Sequence, residues 1–173
     1  MAELTKQQME EILLAHEIAE LEEDVEATMA TVVPHPHYEL ATLGFAIDGY
    51  AAVRETYTRI LPNNRQRNIA AEMRVHAVAR NTLCREAHVS FNTSDGGRTT
   101  GLYLVVMSFD PELKLIASER MYMDPAFAAM MTEQLGPDFP GLPGVSKISD
   151  GAPMIDKHDA YAVAERRGLT IRS

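Results

Sequence analysis

Cysteine is almost missing from this 173-residue chain: Cys84 stands alone, so no internal disulfide can form, and it reads as an ordinary strand residue. Basic residues are short as well, 16 Lys and Arg against 25 Asp and Glu for a net charge of −9, with no Lys/Arg run. A phosphate backbone would be repelled, which excludes nucleic acid as a partner. No apolar run approaches the ~20 residues needed to span a bilayer, the longest lying around Leu102 to Met107. No membrane role is expected. The start, MAELTKQQMEE, is acidic and amphipathic where a secretory leader would be basic and then apolar, so a cytoplasmic protein is expected. There is no internal repeat, and Gly96-Gly97 is too short to cradle a phosphate.

What is present is a globular composition, 46% hydrophobic and 24% charged, of a size suited to one core. Thr5 with Gln8 three residues later is a capping-box pattern, after which Met9, Ile12, Leu13, His16 and Ala19 recur at helical spacing. Leu14, Ile18, Leu21 and Val25 lie on the opposite side of that wheel. The acidic run Glu20 to Asp24 is read as solvated and as a break, with Asp24 capping a second helix through Ala30. Pro34-His35-Pro36-His37 ends it, and a short strand is expected at Tyr38 to Leu40. Gly49 precedes a third helix whose Val53, Tyr57, Ile60 and Leu61 share a face, closed by Pro62-Asn63-Asn64.

From Asn68 the period becomes two. Ala71, Met73, Val75, Ala77 and Ala79 alternate with Glu72, Arg74 and His76, and Leu83, Ala87, Val89 and Phe91 with Cys84, Glu86, His88 and Ser90. Two half-buried strands joined at Asn81 are expected, His88 and Glu86 pointing outward. Ser94 to Gly97 makes a hairpin turn into an apolar strand, Gly101 to Phe109, and Asp110-Pro111-Glu112 turns into Leu115 to Met123. Asp124-Pro125 starts a helix that Gly136 ends. Residues 137–173 are rich in Pro and Gly, with a short helix expected from Asp156 to Arg167; they read as an arm beside a 1–136 domain. The fold class is α+β: a curved antiparallel sheet wrapped around three N-terminal helices.

Asp24-Val25-Glu26-Ala27, Tyr38-Glu39, Gly44, Gly49, Val53-Arg54 and Tyr57, then Arg120-Met121-Tyr122-Met123-Asp124 with Gln134-Leu135-Gly136, resemble in order and spacing the SnoaL-like and ketosteroid-isomerase-like proteins of the nuclear-transport-factor-two-like superfamily. The resemblance covers roughly residues 7–136. It implies a cystatin-like cone with a hydrophobic pocket for a small apolar ligand, a homodimer, and chemistry by proton transfer or by addition or elimination of water. No cofactor is expected. It places His16 where the isomerases carry a tyrosine, Leu40 at the base position, Val105 at the protonated-acid position and Met121 at the last-strand aspartate of the epoxide-hydrolase type.

With those carboxylates missing, three residues are candidates for catalysis. His16 is an ionisable group within an apolar stripe, where its proton affinity can be tuned; the competing reading is a hydrogen-bonded core histidine. Glu119 shares a strand face with Met121 and Met123, and Glu39 becomes the base only if the strand slips by one residue, which turns its side chain to the other face. Tyr38, Tyr57, Tyr103, Val105, Met121 and Met123 are expected to line the ligand site. His35 and His37 offer two imidazoles but no further ligands, so no metal is expected. The alternative of another class is a non-catalytic ligand-binding or dimerisation module.

Overall fold

A computed structural model of the chain describes residues 3–148 and 160–169. Helix α1 runs Lys6–Leu21, opened by the expected capping box: Gln8 N–H donates to Thr5 Oγ1 at 3.2 Å, and Thr5 N–H donates to Gln8 Oε1 at 2.9 Å. Its buried stripe is Met9, Leu13, His16 and Ala19. The second apolar set is divided: Val25 packs against the core, whereas Leu14, Ile18 and Leu21 are exposed among the described residues. Asp24 caps α2, Val25–Met29, by accepting from Ala27 N–H at 2.9 Å. Strand β1 spans Val32–Leu40, longer than expected from sequence, and its pairing with β6 is irregular between Val32 and His37. Pro34 and Pro36 occupy that interruption, where no ladder donor is required.

A 3-10 turn at Ala41–Leu43 leads to β2, Phe45–Asp48, and α3, Tyr50–Ile60. Then follow β3 (Ala70–Ala79), β4 (Thr82–Asn92), β5 (Arg98–Asp110), β6 (Leu115–Met123), α4 (Pro125–Leu135), β7 (Val145–Lys147) and α5 (Ala160–Arg166). The expected helix from Asp156 begins outside the described residues. The sheet is curved and unclosed, in the order β3-β4-β5-β6-β1-β2-β7. It is not wholly antiparallel, since β1 runs parallel to β6. That pairing, a long-range one that no hairpin signal announces, brings the strand between α2 and α3 against the last long strand. After Gly136 the chain returns to the sheet: Phe139 is buried edge-to-face against Phe45, and β7 pairs with β2.

Edge strand β3 is a correction to the sequence reading. Met73 (61% exposed) and Val75 are open to solvent instead of half-buried. The register slips between Met73 and Val75, so Arg74 is an extra residue, and past it His76 and Val78 face inward opposite Arg85 and Leu83. A parity read straight through 71–79 fails at that bulge. The inner face of the sheet carries two ordered cross-strand rows. One is Leu83, Met107, Glu119 and Tyr38; the next is Arg85, Val105, Met121 and Leu40. Helix α1 lies against β6, α3 against β1 and α4 against β5. No helix among the described residues is long and apolar enough to cross a membrane.

The seat of α4 on β5 is close enough to be tested. A Cβ on Gly101 would meet Phe127 Cβ at 2.8 Å and Phe127 N and Asp124 Oδ1 at 2.9 Å, the cap of that helix. Gly101→Ala is expected to cost about 1–3 kcal/mol by overpacking, read as a lower midpoint in urea; an unchanged midpoint would mean that the helix end yields freely.

Candidate active site

His16, Tyr38, Tyr57 and Glu119 meet in the interior, each brought by a different element. The α1 stripe turns His16 inward, strand alternation places Tyr38 and Glu119 side by side on the inner face, and α3 lays Tyr57 over them. His16 is 1% exposed and Glu119 7%. The hydrogen bonds fix the histidine's tautomer. Thr31 donates its hydroxyl proton to the Thr28 carbonyl at 2.6 Å, so at 2.6 Å from His16 Nδ1 its oxygen must accept. Nδ1 therefore carries a proton, and Nε2 is the working atom. It lies 3.0 Å from the Tyr57 hydroxyl, 3.3 Å from Glu20 Oε1 and 3.5 Å from Glu119 Oε1. The Tyr57 hydroxyl continues to that of Tyr38 at 3.4 Å.

The electrostatics follow from this crowding. Burial alone would lower the proton affinity of His16, but Glu20, by charge and hydrogen bond, then Glu119 and the Thr28 carbonyl hold it above the ordinary value. Burial raises Glu119 to about 7; the His16 charge and the two tyrosine hydroxyls pull it down, and Glu20 pushes it up. Apart from the approach of His16, its Oε1 is buried without a hydrogen bond. Tyr38 and Tyr57 are raised well above 10, by burial and then by the Glu119 carboxylate, so both stay neutral donors. A carboxyl group that changes charge near neutrality can accept a proton from a carbon acid, and an imidazole and two phenols beside it can steady the resulting oxyanion.

Tyr103, Val105, Met121 and Met123 share the inner face with Glu119; Val105 and Met123 are buried, Tyr103 and Met121 partly so. Leu40 and Val105 both stand opposite Met121, apolar where the resemblance would have called for acids. Glu39 is not part of this site. It turns to the outer face, where Arg120 engages both its oxygens and His37 Nε2 lies 3.0 Å away, with His37 Nδ1 2.7 Å from Asp48. Burial would raise Glu39, but Arg120 and His37 outweigh it and hold it below the ordinary value. The residue following an inward Tyr38 has no other choice in an unbroken strand. Glu39→Gln should therefore cost about 1–3 kcal/mol through the lost charged hydrogen bonds while sparing any inner-face chemistry; loss of activity without loss of stability would contradict this separation.

Sequence reasoning missed Glu20, Thr31 and Arg85. Glu20 belongs to an acidic run expected to be solvated, yet it is one helical turn from His16, a spacing that faces the two together. Arg85 points inward, paired with Glu17 of α1, and interacts with Tyr103; the Leu83-to-Phe91 alternation carried that signal. Thr31 gave none. His88 is exposed, and Glu86 faces outward to Arg74 as expected. Among the described residues no group of three or more His, Cys, Asp or Glu is placed to hold a metal ion. Two clefts, of about 600 Å³ beside Arg67 and Gly97 and about 380 Å³ along α1 at Ile12 and Thr31, lie away from Glu119.

No protein-family model and no curated protein matches the chain. Solved structures do. SalBIII, an epoxide hydrolase/cyclase-like enzyme with a role in pyran ring formation in the polyether salinomycin, aligns with a TM-score of 0.58 and 17% identity over 70% of this chain and 94% of its own. A protein described as a SnoaL-like polyketide cyclase from Shewanella denitrificans gives 0.56 and 12% over 73% and 96%. One described as a ketosteroid isomerase from Kribbella flavida gives 0.54 and 9% over 68% and 78%. Identities of this order speak for the fold. The chain has the nuclear-transport-factor-two-like fold, an α+β cone of the kind seen in SnoaL-like and ketosteroid-isomerase-like proteins.

Proposed function

We propose that this protein is a cofactor-independent enzyme that moves a proton on an apolar carbonyl compound, of isomerase, cyclase or dehydratase type. The observation that carries the reading is Glu119: a buried carboxyl poised at about 7, with a free Oε1, within reach of an imidazole and two phenols. In this scheme Glu119 takes the proton α to the carbonyl and returns it to carbon or to a leaving oxygen. The Tyr57 and Tyr38 hydroxyls, backed by the His16 charge, stabilise the enolate. Tyr103, Val105, Met121 and Met123 would hold the apolar body, and the partly exposed Tyr103 and Met121 mark the side of entry.

The test is α-proton exchange in D2O with a panel of cyclic ketones and enones, read by mass. Wild type should incorporate deuterium into at least one of them, and Glu119→Gln should lower the rate by about 10²–10⁴, the usual worth of a general base. No incorporation with any, or an undiminished variant, would sink the proposal. One observation favours the other reading, a binding or assembly module: neither of these two clefts is lined by His16, Tyr38, Tyr57 or Glu119. On that reading apolar ligands bind, but no deuterium enters them.

A further inference from the structure

Of the groups around His16 Nε2, three are closed off from water: Glu119 from β6, Tyr57 from α3 and, through Tyr57, Tyr38 from β1. Thr31 is partly buried, but its proton is committed to the Thr28 carbonyl, so that side of the ring can only accept. Arg85 of β4 and Tyr103 of β5 stand further out along the inner face. Glu20 differs from all of these: its side chain is 31% exposed while its Oε1 lies 3.3 Å from Nε2. One nitrogen thus stands between a carboxylate that reaches solvent and one that does not.

We propose that Glu20 is the proton port of the buried site, passing protons between water and Glu119 by way of His16 Nε2. The inference rests on the reading of Glu119 as the acid–base group. The step balances at a single atom. With Nδ1–H held by Thr31, neutral His16 takes a proton at Nε2 from the carboxyl of Glu20, leaving Glu20 ionised. The imidazolium then gives that proton from Nε2 to Glu119 Oε1, 3.5 Å away, and returns to the same tautomer. Glu20 takes its next proton from water. Run in reverse, the same route clears a proton that Glu119 has taken up and not returned, without opening the core.

The test needs no substrate. In protein labelled with 15N-histidine, exchange of the His16 Nε2 proton with water is measured by NMR, each variant one pH unit below its own His16 midpoint. Exchange should be fast in wild type and slowed by about a hundredfold in Glu20→Gln, the size of a general acid–base contribution. Added formate should restore it in Glu20→Ala. Unchanged exchange in Glu20→Gln, or a slowing in Glu20→Ala that formate does not reverse, would overturn the port. Because carbonyl exchange and ring-proton exchange are separate readouts, failure of the enzymatic reading shows in the first and failure of the port in the second.

Discussion

Glu119→Gln should stabilise the protein at pH 8 by about 3 kcal/mol and leave it unchanged at pH 4.5, because the wild-type carboxyl is held at about 7 against an ordinary 4.5. Below 4.5 the group is protonated whether the chain is folded or not, and contributes nothing to the pH dependence. Between 4.5 and 7 the unfolded chain loses this proton while the folded chain keeps it, so stability falls as pH rises, and above 7 the full penalty is in place. His16 adds to the same slope. Its folded value is raised, so its contribution is complete below 6.5 and is lost as pH rises through that folded value. Glu39 works the other way: held low by Arg120 and His37, it stabilises above 4.5 and loses that as pH falls through its folded value. Urea midpoints of wild type and Glu119→Gln across pH 4.5–8 check the sign. A variant less stable than wild type at pH 8 would mean that Glu119 is ionised in the folded state at little cost.

His16→Phe should cost about 3–5 kcal/mol at pH 7, the usual penalty for removing one partner of a buried charged pair. The phenyl ring can fill the space, but Thr31 and Tyr57 lose their partner and Glu119 loses its neighbouring cation. At pH 4.5 the cost should be no smaller, because the contribution of the raised His16 is complete below 6.5 and Glu20, ahead of Glu119, is what raises it. In the Glu119→Gln background the cost at pH 7 should shrink to about 1–3 kcal/mol, since the two side chains are in one network. Equal penalties in both backgrounds would show that His16 and Glu119 do not sense each other.

The elements were largely legible because local chemistry defines them. Thr5 with Gln8, Asp24 and Asp124-Pro125 mark helix starts through side-chain acceptors, and those caps form where the letters place them. The Leu83-to-Phe91 alternation gives the correct inner face of β4, and the stripe in α1 points His16 inward. Legibility ended at long-range registers. Nothing local announces that β1 runs parallel to β6, that Arg74 is an extra residue, or that Leu14, Ile18 and Leu21 go uncovered. A bulge is a property of two paired strands, and coverage a property of what lies opposite.

By itself the sequence determined that the chain is an acidic α+β protein and that His16 and Glu119 belong to apolar, inward-facing patterns. Only the tertiary structure decided that His16 Nε2 lies between Glu20 and Glu119, that Tyr57 and Tyr38 close the cluster, and that Glu39 is turned away to Arg120. The physical reason is that a proton affinity is set by distance and burial together. Periodicity predicts which way a side chain points, whereas its charged neighbours come from elements far apart in the chain.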